Sequence, residues 1–329
     1  MTRRIKVVPY DSNWPRWFEE EAVKIKQALG ENCVAVHHVG STSVPGLTAK
    51  PQIDIIAVVK DYLATSSPLV QAGYIEKGEF NIPFHIVFGE GDGNTRANIH
   101  VFEEGNPEIE LNLLFRDYLR AHQDARDAYG SLKNSLVAQD VSHERVSVGL
   151  SKYTLGKDEF IKEILIQTGF NGLCMRLCTH HEEWDIVRSF RQKYFFDKVP
   201  VADPYTWTFD HKDHVHFVLY LGTQIIGYTH LQLWPDDRAA LRIIVIDEPF
   251  RNEGLGAHFL RLCERWLKQK GYSVLQTQSS PDAFAFYSKH GYTEMPFNDP
   301  DGYESDPRDI ELGKVLRDDF VSCFTKGLI

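Results

Sequence analysis

Two stretches of this 329-residue sequence combine residue types and spacings suited to handling phosphates. The first is Arg251, Asn252, Glu253, Gly254, Leu255, Gly256 and Ala257. A helix that begins here leaves its first N–H groups without partners and places the positive end of its dipole beside them. Gly254 and Gly256 carry no side chain to hold a diphosphate away from those N–H groups, and Arg251 adds a fixed cation. Taken alone, the same residues also describe a glycine turn ahead of an ordinary helix. A dinucleotide fingerprint fits less well, because the glycines are not spaced Gly-x-Gly-x-x-Gly and no acidic ribose ligand follows.

The second stretch runs from His38 through Gly40 and Ser41 to Lys50 and Asp54. A Gly-Ser turn after one strand and an aspartate on the next suit a phosphate held beside Mg²⁺, with Ser41 on a phosphate oxygen and Asp54 on the metal. Metal-dependent nucleotidyl transfer needs a second carboxylate two positions on, and that position is Ile56. His38, Lys50, His100, Arg116 and Lys157 can instead form a cationic pocket for an anionic or nucleotide ligand. Four readings therefore stand: a binder of an anion, a working transferase using Mg²⁺ and a nucleoside triphosphate, a non-catalytic nucleotide sensor with a regulatory role, or an Asp54 that only orients its loop.

The elements that would position these residues follow from hydrophobic spacing. Asp11 or Ser12 suits the cap of a helix over 13–29, in which Trp17, Phe18, Ala22, Ile25 and Leu29 recur at helical intervals. Strands are predicted over 7–10, 34–39, 53–59, 84–88 and 99–102, and helices over 108–138 and 155–167. Turn residues at 168–172 mark a domain boundary near residue 170, giving domains 1–170 and 171–329. In the second domain, strands are predicted over 175–178, 217–221, 225–233, 241–246, 273–277, 292–295 and 310–315. Helices are predicted there over 182–194, 254–270 and 283–289.

Composition sets bounds on function. The chain carries 36 Lys and Arg against 46 Asp and Glu, a net charge of −10. Residues 1–170 hold 18 basic and 23 acidic side chains, and residues 171–329 hold the same numbers. Neither half is basic, so nucleic acid is not an expected partner. No apolar run approaches the ~20 residues of a membrane span, and no apolar segment follows the basic start as in a secretory signal. The five cysteines, Cys33, Cys174, Cys178, Cys263 and Cys323, are odd in number and irregularly spaced, which suits a reducing cytoplasm. Cys174 and Cys178 with His180 and His181 do not have zinc-site spacing, so no metal is expected there. Nothing in the sequence encodes an oligomeric state.

In context the first motif becomes more specific. Residues 172–316 resemble the GNAT superfamily of acyl-CoA N-acyltransferases. Ile246 to Gly256 is similar to that family's strand-to-helix diphosphate loop. Ala283-Phe-Ala-Phe-Tyr287-Ser-Lys-His-Gly-Tyr292 is similar to its second motif. The resemblance implies a mixed, mostly antiparallel sheet and acetyl-CoA as cosubstrate. It also implies a small-molecule primary amine as acceptor, attacked directly in a ternary complex. By the same resemblance, backbone groups of Ile244 and Ile246 pair with pantetheine, and the N–H groups from Arg251 to Ala257 hold the diphosphate. Tyr287 is implied to protonate the departing thiolate. Ser280 stands where the family often has asparagine near the cofactor. The general base is open among His230, Asp236, Asp237 and Glu248, with His230 preferred. The segments 180–216, 230–240 and 296–308, the last of them acidic, are candidates for the acceptor pocket.

Residues 1–170 resemble the GrpB (UPF0157) family, through Val8-Pro-Tyr-Asp-x-x-Trp-Pro15, the 38–54 stretch, Phe115 to Arg120, and Tyr153 to Lys157. That resemblance implies a nucleotidyltransferase-like mixed sheet with helices. The fusion of such domains to dephospho-CoA kinase makes a CoA or adenylate ligand thinkable. The fold class expected of the whole chain is α/β of the α+β kind.

Overall fold

The computed structural model describes residues 6–90, 96–139, 145–147, 150–197, 202–302 and 306–316. The chain divides into two compact units, Met1–Cys174 with Leu221–Gln224, and Met175–Tyr220 with Ile225–Ile329. Both are mixed α/β structures built on mixed sheets.

Unit 1 opens with helix α1 (Trp14–Leu29), which buries Trp14, Ala22, Ile25 and Leu29 along one face. The aromatic at the heart of this face is Trp14, fully buried, where the helical spacing had favoured Trp17. Trp17 instead carries the Arg96 guanidinium over its ring at 4.3 Å. Asp11 accepts from Asn13 N–H (2.8 Å) rather than capping the helix itself, and Asn13 is the N-cap residue. The predicted strand over 7–10 reduces to one bridge, Val8 to Ala49.

The sheet of unit 1 has five strands: β1 (Cys33–Val39), β2 (Ile53–Val59), β3 (Tyr74–Gly78), β4 (His85–Glu90) and β5 (Ala97–Glu103). Their order is β1-β2-β5-β4-β3, with β2 and β5 parallel and the other pairs antiparallel. β2 is buried on both faces, as its β-branched run requires. Residues 91–95, between β4 and β5, lie outside the described residues. Helix α2 (Ser66–Gln71) and edge strand β3 were not legible in the pattern.

Where one helix was predicted over 108–138 there are two, α3 (Pro107–Ala121) and α4 (Gln123–Ala138). His122 between them is extended, at φ −118° and ψ 103°. Its Nδ1 lies 2.9 Å from Tyr118 O and its ring stacks on Tyr118, fixing the break. The short hairpin β6 (Arg145–Ser147) and β7 (Leu150–Ser151), then α5 (Lys152–Leu155) and α6 (Asp158–Gln167), complete the unit.

Unit 2 is built on a seven-stranded sheet. Its strands are β8 (Leu173–Leu177), β9 (His214–Leu221), β10 (Gln224–Leu233), β11 (Arg238–Ile246), β12 (Val274–Ser279), β13 (Thr293–Glu294) and β14 (Ile310–Val315), in the order β13-β14-β12-β11-β10-β9-β8. Helix α7 (His181–Arg191) covers one face, packing Val187 and Phe190 with Val218, Tyr228 and Val245. Helix α8 (Leu255–Gln269) covers the other, burying Leu255, Phe259, Leu262, Cys263 and Trp266 at intervals of three and four. Each such side chain taken from water contributes about 1.5–3 kcal/mol. Phe217 lies against Trp266 of α8, while its neighbour Val218 joins the α7 cluster, as strand alternation demands. Helix α9 (Phe284–Lys289) follows β12. Among the described residues no helix is long and apolar enough to cross a membrane.

Candidate active site

β11 and β12 are parallel, yet they pair only at Arg238, Ala239 and Ala240. Beyond Ala240 the strands part, and the edge of β11 from Leu241 to Ile246 has no ladder partner on that side among the described residues. On its other side β11 stays paired with β10, with the register broken between His230 and Leu231 where Arg242 is the extra residue. This bulge bends β11 locally. Ile244 and Ile246, predicted as backbone ligands, both lie on the unpaired stretch. At the apex of the opening Thr277 Oγ1 donates to Leu241 O (2.9 Å).

The glycine loop stands at the open end of β11. Asn252 (φ 68°) and Gly254 (φ 80°) are left-handed, and Gly254 is the N-cap residue of α8. The first N–H here to find a backbone acceptor is that of His258, on Gly254 O (3.0 Å). The N–H groups ahead of it, from Asn252 to Ala257, have no backbone acceptor among the described residues. A methyl added at Gly256 would meet only ordinary contacts, 3.7 Å from Phe286 and 3.8 Å from Ile246. Packing within the chain therefore does not demand glycine at 256.

Arg251 is anchored rather than free, its Nε donating to Ile246 O (2.8 Å) and its guanidinium lying over Tyr194. Below the loop, Tyr194 donates to Asp247, and Lys193 pairs with Asp247 (3.0 Å). These residues belong to a π-helical turn, Gln192–Phe196, whose part in seating the loop carried no sequence signal. Glu253 and Ser280 are exposed, and Glu248 faces Lys193 at 3.8 Å.

Tyr287 projects from α9 onto the α8 face. Its hydroxyl is hydrogen-bonded to Thr277, and burial pushes its phenol up to about 12. His230 lies on the opposite, α7 face, stacked on His216 (4.3 Å between ring centres). The two predicted catalytic groups therefore do not meet; they flank the parted strands from either side. Asp236 and Asp237 occupy the turn at the closed end of the strand pair, where both backbones are left-handed.

The surroundings of His230 could not be read from the sequence. His214 Nδ1 and His230 Nε2 are 2.8 Å apart. Arg191 donates to the Tyr228 hydroxyl (3.1 Å), which in turn donates to His216 Nδ1 (2.8 Å). His216 Nε2 is 3.1 Å from Thr208 O, so its proton resides there. Burial lowers all three histidines, His214 to about 4, His216 to about 3 and His230 well below its ordinary value. The folded chain therefore holds them neutral, and the unfolded chain takes up protons first as pH falls through the ordinary value of 6.5. Unfolding free energy is expected to fall from there down towards the folded values. Urea titrations at neutral pH and at about pH 5 check this, and equal stabilities at the two would contradict it.

Along the same face, Gln232 donates to Asp301 (2.6 Å) and accepts twice from Arg242, which also pairs with Asp299 (2.5 Å). Of the acidic segment, Asp306 pairs with Arg308 in solvent, and Glu304 lies outside the described residues. Cys174 and Cys178 are buried, Cys178 within the α7 core. His180 and Glu183 form the capping box of α7.

In unit 1, Gly40 is left-handed (φ 68°), and a Cβ there would collide with Asp54 Oδ2. Asp54 Oδ1 accepts from Asn98 (3.3 Å), its register partner on β5. Lys77 reaches the same Asn98 (3.1 Å), crossing β4 at Gly89. His100 lies one turn of the β5 pleat further on, 3.0 Å from buried His85. His38 and Arg116 are drawn elsewhere. His38 bonds Thr42 (3.1 Å) and stacks on Phe18, and Arg116 donates to His38 O (3.0 Å) and pairs with Asp117. Ser41 begins the short turn that places Ser43 Oγ on Gly40 O (2.6 Å). Lys50, Asp54 and His100 thus gather near one end of β2 and β5, whereas His38 and Arg116 brace the loop behind them. Among the described residues no group of three or more His, Cys, Asp or Glu is arranged to hold a metal.

Residues 4–167 match the family model described as GrpB protein. UPF0157 protein BH1888 of Halalkalibacterium halodurans is 40% identical over 165 residues, covering 49% of this chain and 80% of that protein. The chain belongs to the GrpB family. UPF0157 protein YqkA of Bacillus subtilis is 38% identical over 163 residues, 49% of this chain, and the chain spans only 46% of that relative's length. A crystal structure of the conserved protein GrpB from Enterococcus faecalis is 34% identical, covering 50% of this chain and 96% of that one, with a TM-score of 0.44. Beyond its GrpB portion the chain carries a GNAT domain. Residues 182–292 match the model described as Acetyltransferase (GNAT) family, a span that holds the parted strands, the glycine loop and Tyr287.

Proposed function

We propose that unit 2 is an acetyl-CoA-dependent N-acetyltransferase acting on a small-molecule primary amine. The observation that carries this reading is the parting of parallel strands β11 and β12 beyond Ala240, with a left-handed glycine loop and unpaired helix N–H groups at the open end. An extended arm fits the free edge of β11 at Ile244 and Ile246, pairing as an added strand would. A diphosphate fits the N–H groups from Asn252 to Ala257, with room at Gly256 that the fold leaves unused, while the Arg251 N–H is taken by Glu248 O. Acetyl-CoA supplies the activated thioester.

The amine enters from the α7 face. His230 accepts its proton directly or through a water, and passes charge to His214, which is only partly buried. As nitrogen bonds to the carbonyl carbon, the carbon–sulfur bond breaks on the α8 face, where Tyr287 gives its proton to the sulfur. Acid and base on opposite faces keep the two proton transfers apart. Asp299 and Asp301, on the acceptor side, suit an amine that arrives as a cation. Burial holds His230 well below its ordinary value, so it is neutral across the physiological range.

A thermal-unfolding titration with acetyl-CoA tests the reading, because a ligand selective for the folded state raises stability by mass action, about 2.7 kcal/mol at a hundredfold excess over Kd. Gly256→Trp should fold and lose the stabilisation, since its indole occupies the space held for the diphosphate. Absence of stabilisation in the wild type would overturn the assignment.

A further inference from the structure

Unit 1 gathers three lysines from three separate elements around two tyrosines. Lys50 precedes β2, Lys133 lies on α4, and Lys157 stands just ahead of α6. The ammonium groups of Lys50 and Lys157 lie over the same ring, 4.7 Å and 4.9 Å from the centre of Tyr153. Lys133 is almost fully buried, over Tyr129 at 4.8 Å, and donates to Thr48 O. Among the described residues neither the Lys50 nor the Lys157 ammonium has a hydrogen bond or a carboxylate within ion-pair reach.

The acid that acts on both Lys50 and Lys157 is Asp54, which is already committed to Asn98 and pressed against Gly40; Asp158 acts on Lys157 as well. Withdrawing an ammonium from water costs several kcal/mol when no counter-charge meets it. A ring face returns about 0.5–2 kcal/mol of that. Two such groups on one ring also repel each other. Burial and the neighbouring Lys50 together bring Lys157 down to about 8, and burial and Lys157 bring Lys133 down to about 7. Covering Tyr153 does not require the charges of Lys50 and Lys157, because aliphatic chains of equal length would lie over the same ring.

We propose that unit 1 binds a small phosphate-bearing anion between Lys50 and Lys157, against the Tyr153 ring. The two ammonium groups supply the counter-charge for a phosphate dianion, and Asp54 limits the excess when the site is empty. This site is independent of the acyl-transfer reading. It uses Lys50 and Lys157 and leaves His38 and Arg116 to their loop.

Calorimetric titration of the full chain with inorganic pyrophosphate at low salt provides the test, with folding of each variant checked by circular dichroism. Lys50→Met and Lys157→Met are each expected to weaken binding at least tenfold, Lys157→Arg to retain it, and Lys60→Met, at an exposed lysine, to leave it unchanged. Without ligand, Lys157→Met should be at least as resistant to urea as the wild type, since it removes a half-buried charge that has no ion-pair partner among the described residues; a purely structural lysine would give the reverse. Failure of the wild type to bind, or a weakening of less than threefold in both methionine variants, overturns the proposal. So does binding that survives Lys157→Met and disappears in Gly256→Trp, because that result places the anion on the loop before α8.

Discussion

Tyr287→Phe is expected to lower acyl-transfer turnover by about 10²–10⁴-fold while changing acetyl-CoA affinity little. The substitution deletes one hydroxyl and keeps the ring, which packs edge-on against Phe286 and Tyr292. That hydroxyl is the group aimed at the apex between β11 and β12, where it bonds Thr277. Its high value, about 12, keeps it protonated throughout the working range, as a proton donor to sulfur must be. Rapid-quench turnover and equilibrium acetyl-CoA titration separate the two effects. A variant with unchanged turnover removes Tyr287 from the chemistry, whereas equal losses in turnover and affinity make it a packing residue. Loss of the proton donor should be felt most with poor leaving groups, so a thioester whose thiol is more acidic should recover part of the rate.

Arg191→Met is expected to destabilise unit 2 by about 3–5 kcal/mol. Arg191 is 1% exposed, forms a two-point pair with Asp203, and donates to Tyr228. Removing the cation leaves the Asp203 carboxylate, itself only 9% exposed, without its partner. It also strips one donor from the chain running through Tyr228 and His216 to the stacked His230. Arg191→Met combined with Asp203→Asn should recover much of the loss, because most of the cost is an unpaired buried charge. Urea denaturation of the single and double variants gives the coupling, and additive losses would mean that the pair does not act as a unit. The same single variant should move the acid limb of activity to higher pH, since the Arg191 charge is one of the influences that hold His230 low.

Elements driven by local pattern were legible. The run from Ile53 to Val59 could be little other than a buried strand, and the apolar positions of α8 recur at intervals that only a helix can gather on one side. Where the pattern misled, a side chain had competed with the backbone. His122 ends a helix that its neighbours would continue, because its imidazole and ring are occupied by Tyr118. In α1, Trp14 takes the core in place of Trp17, since the helix enters the core one turn earlier than its spacing implied. Strand β3 and helix α2 escaped notice because their solvent faces are too polar and their lengths too short to show a period.

The glycine loop, the Tyr287 helix, the Gly40 turn and Asp54 were determined by the sequence itself, because each depends on what neighbours along the chain can do. A left-handed backbone favours glycine or asparagine, an unpaired helix start needs no side chain in the way, and a lone carboxylate beside Ile56 is visible as letters. Tertiary structure alone decided how far β11 and β12 stay paired, that Tyr287 and His230 take opposite faces, and that His230 meets His214 and the chain running from Arg191 through Tyr228 to His216. It also decided that Lys50 and Lys157 share a ring while His38 and Arg116 do not join them. Those facts depend on register, on a one-residue bulge and on burial by segments more than a hundred positions away. A side chain's field and its hydrogen-bond partner are set by such through-space neighbours, which one-dimensional spacing does not encode.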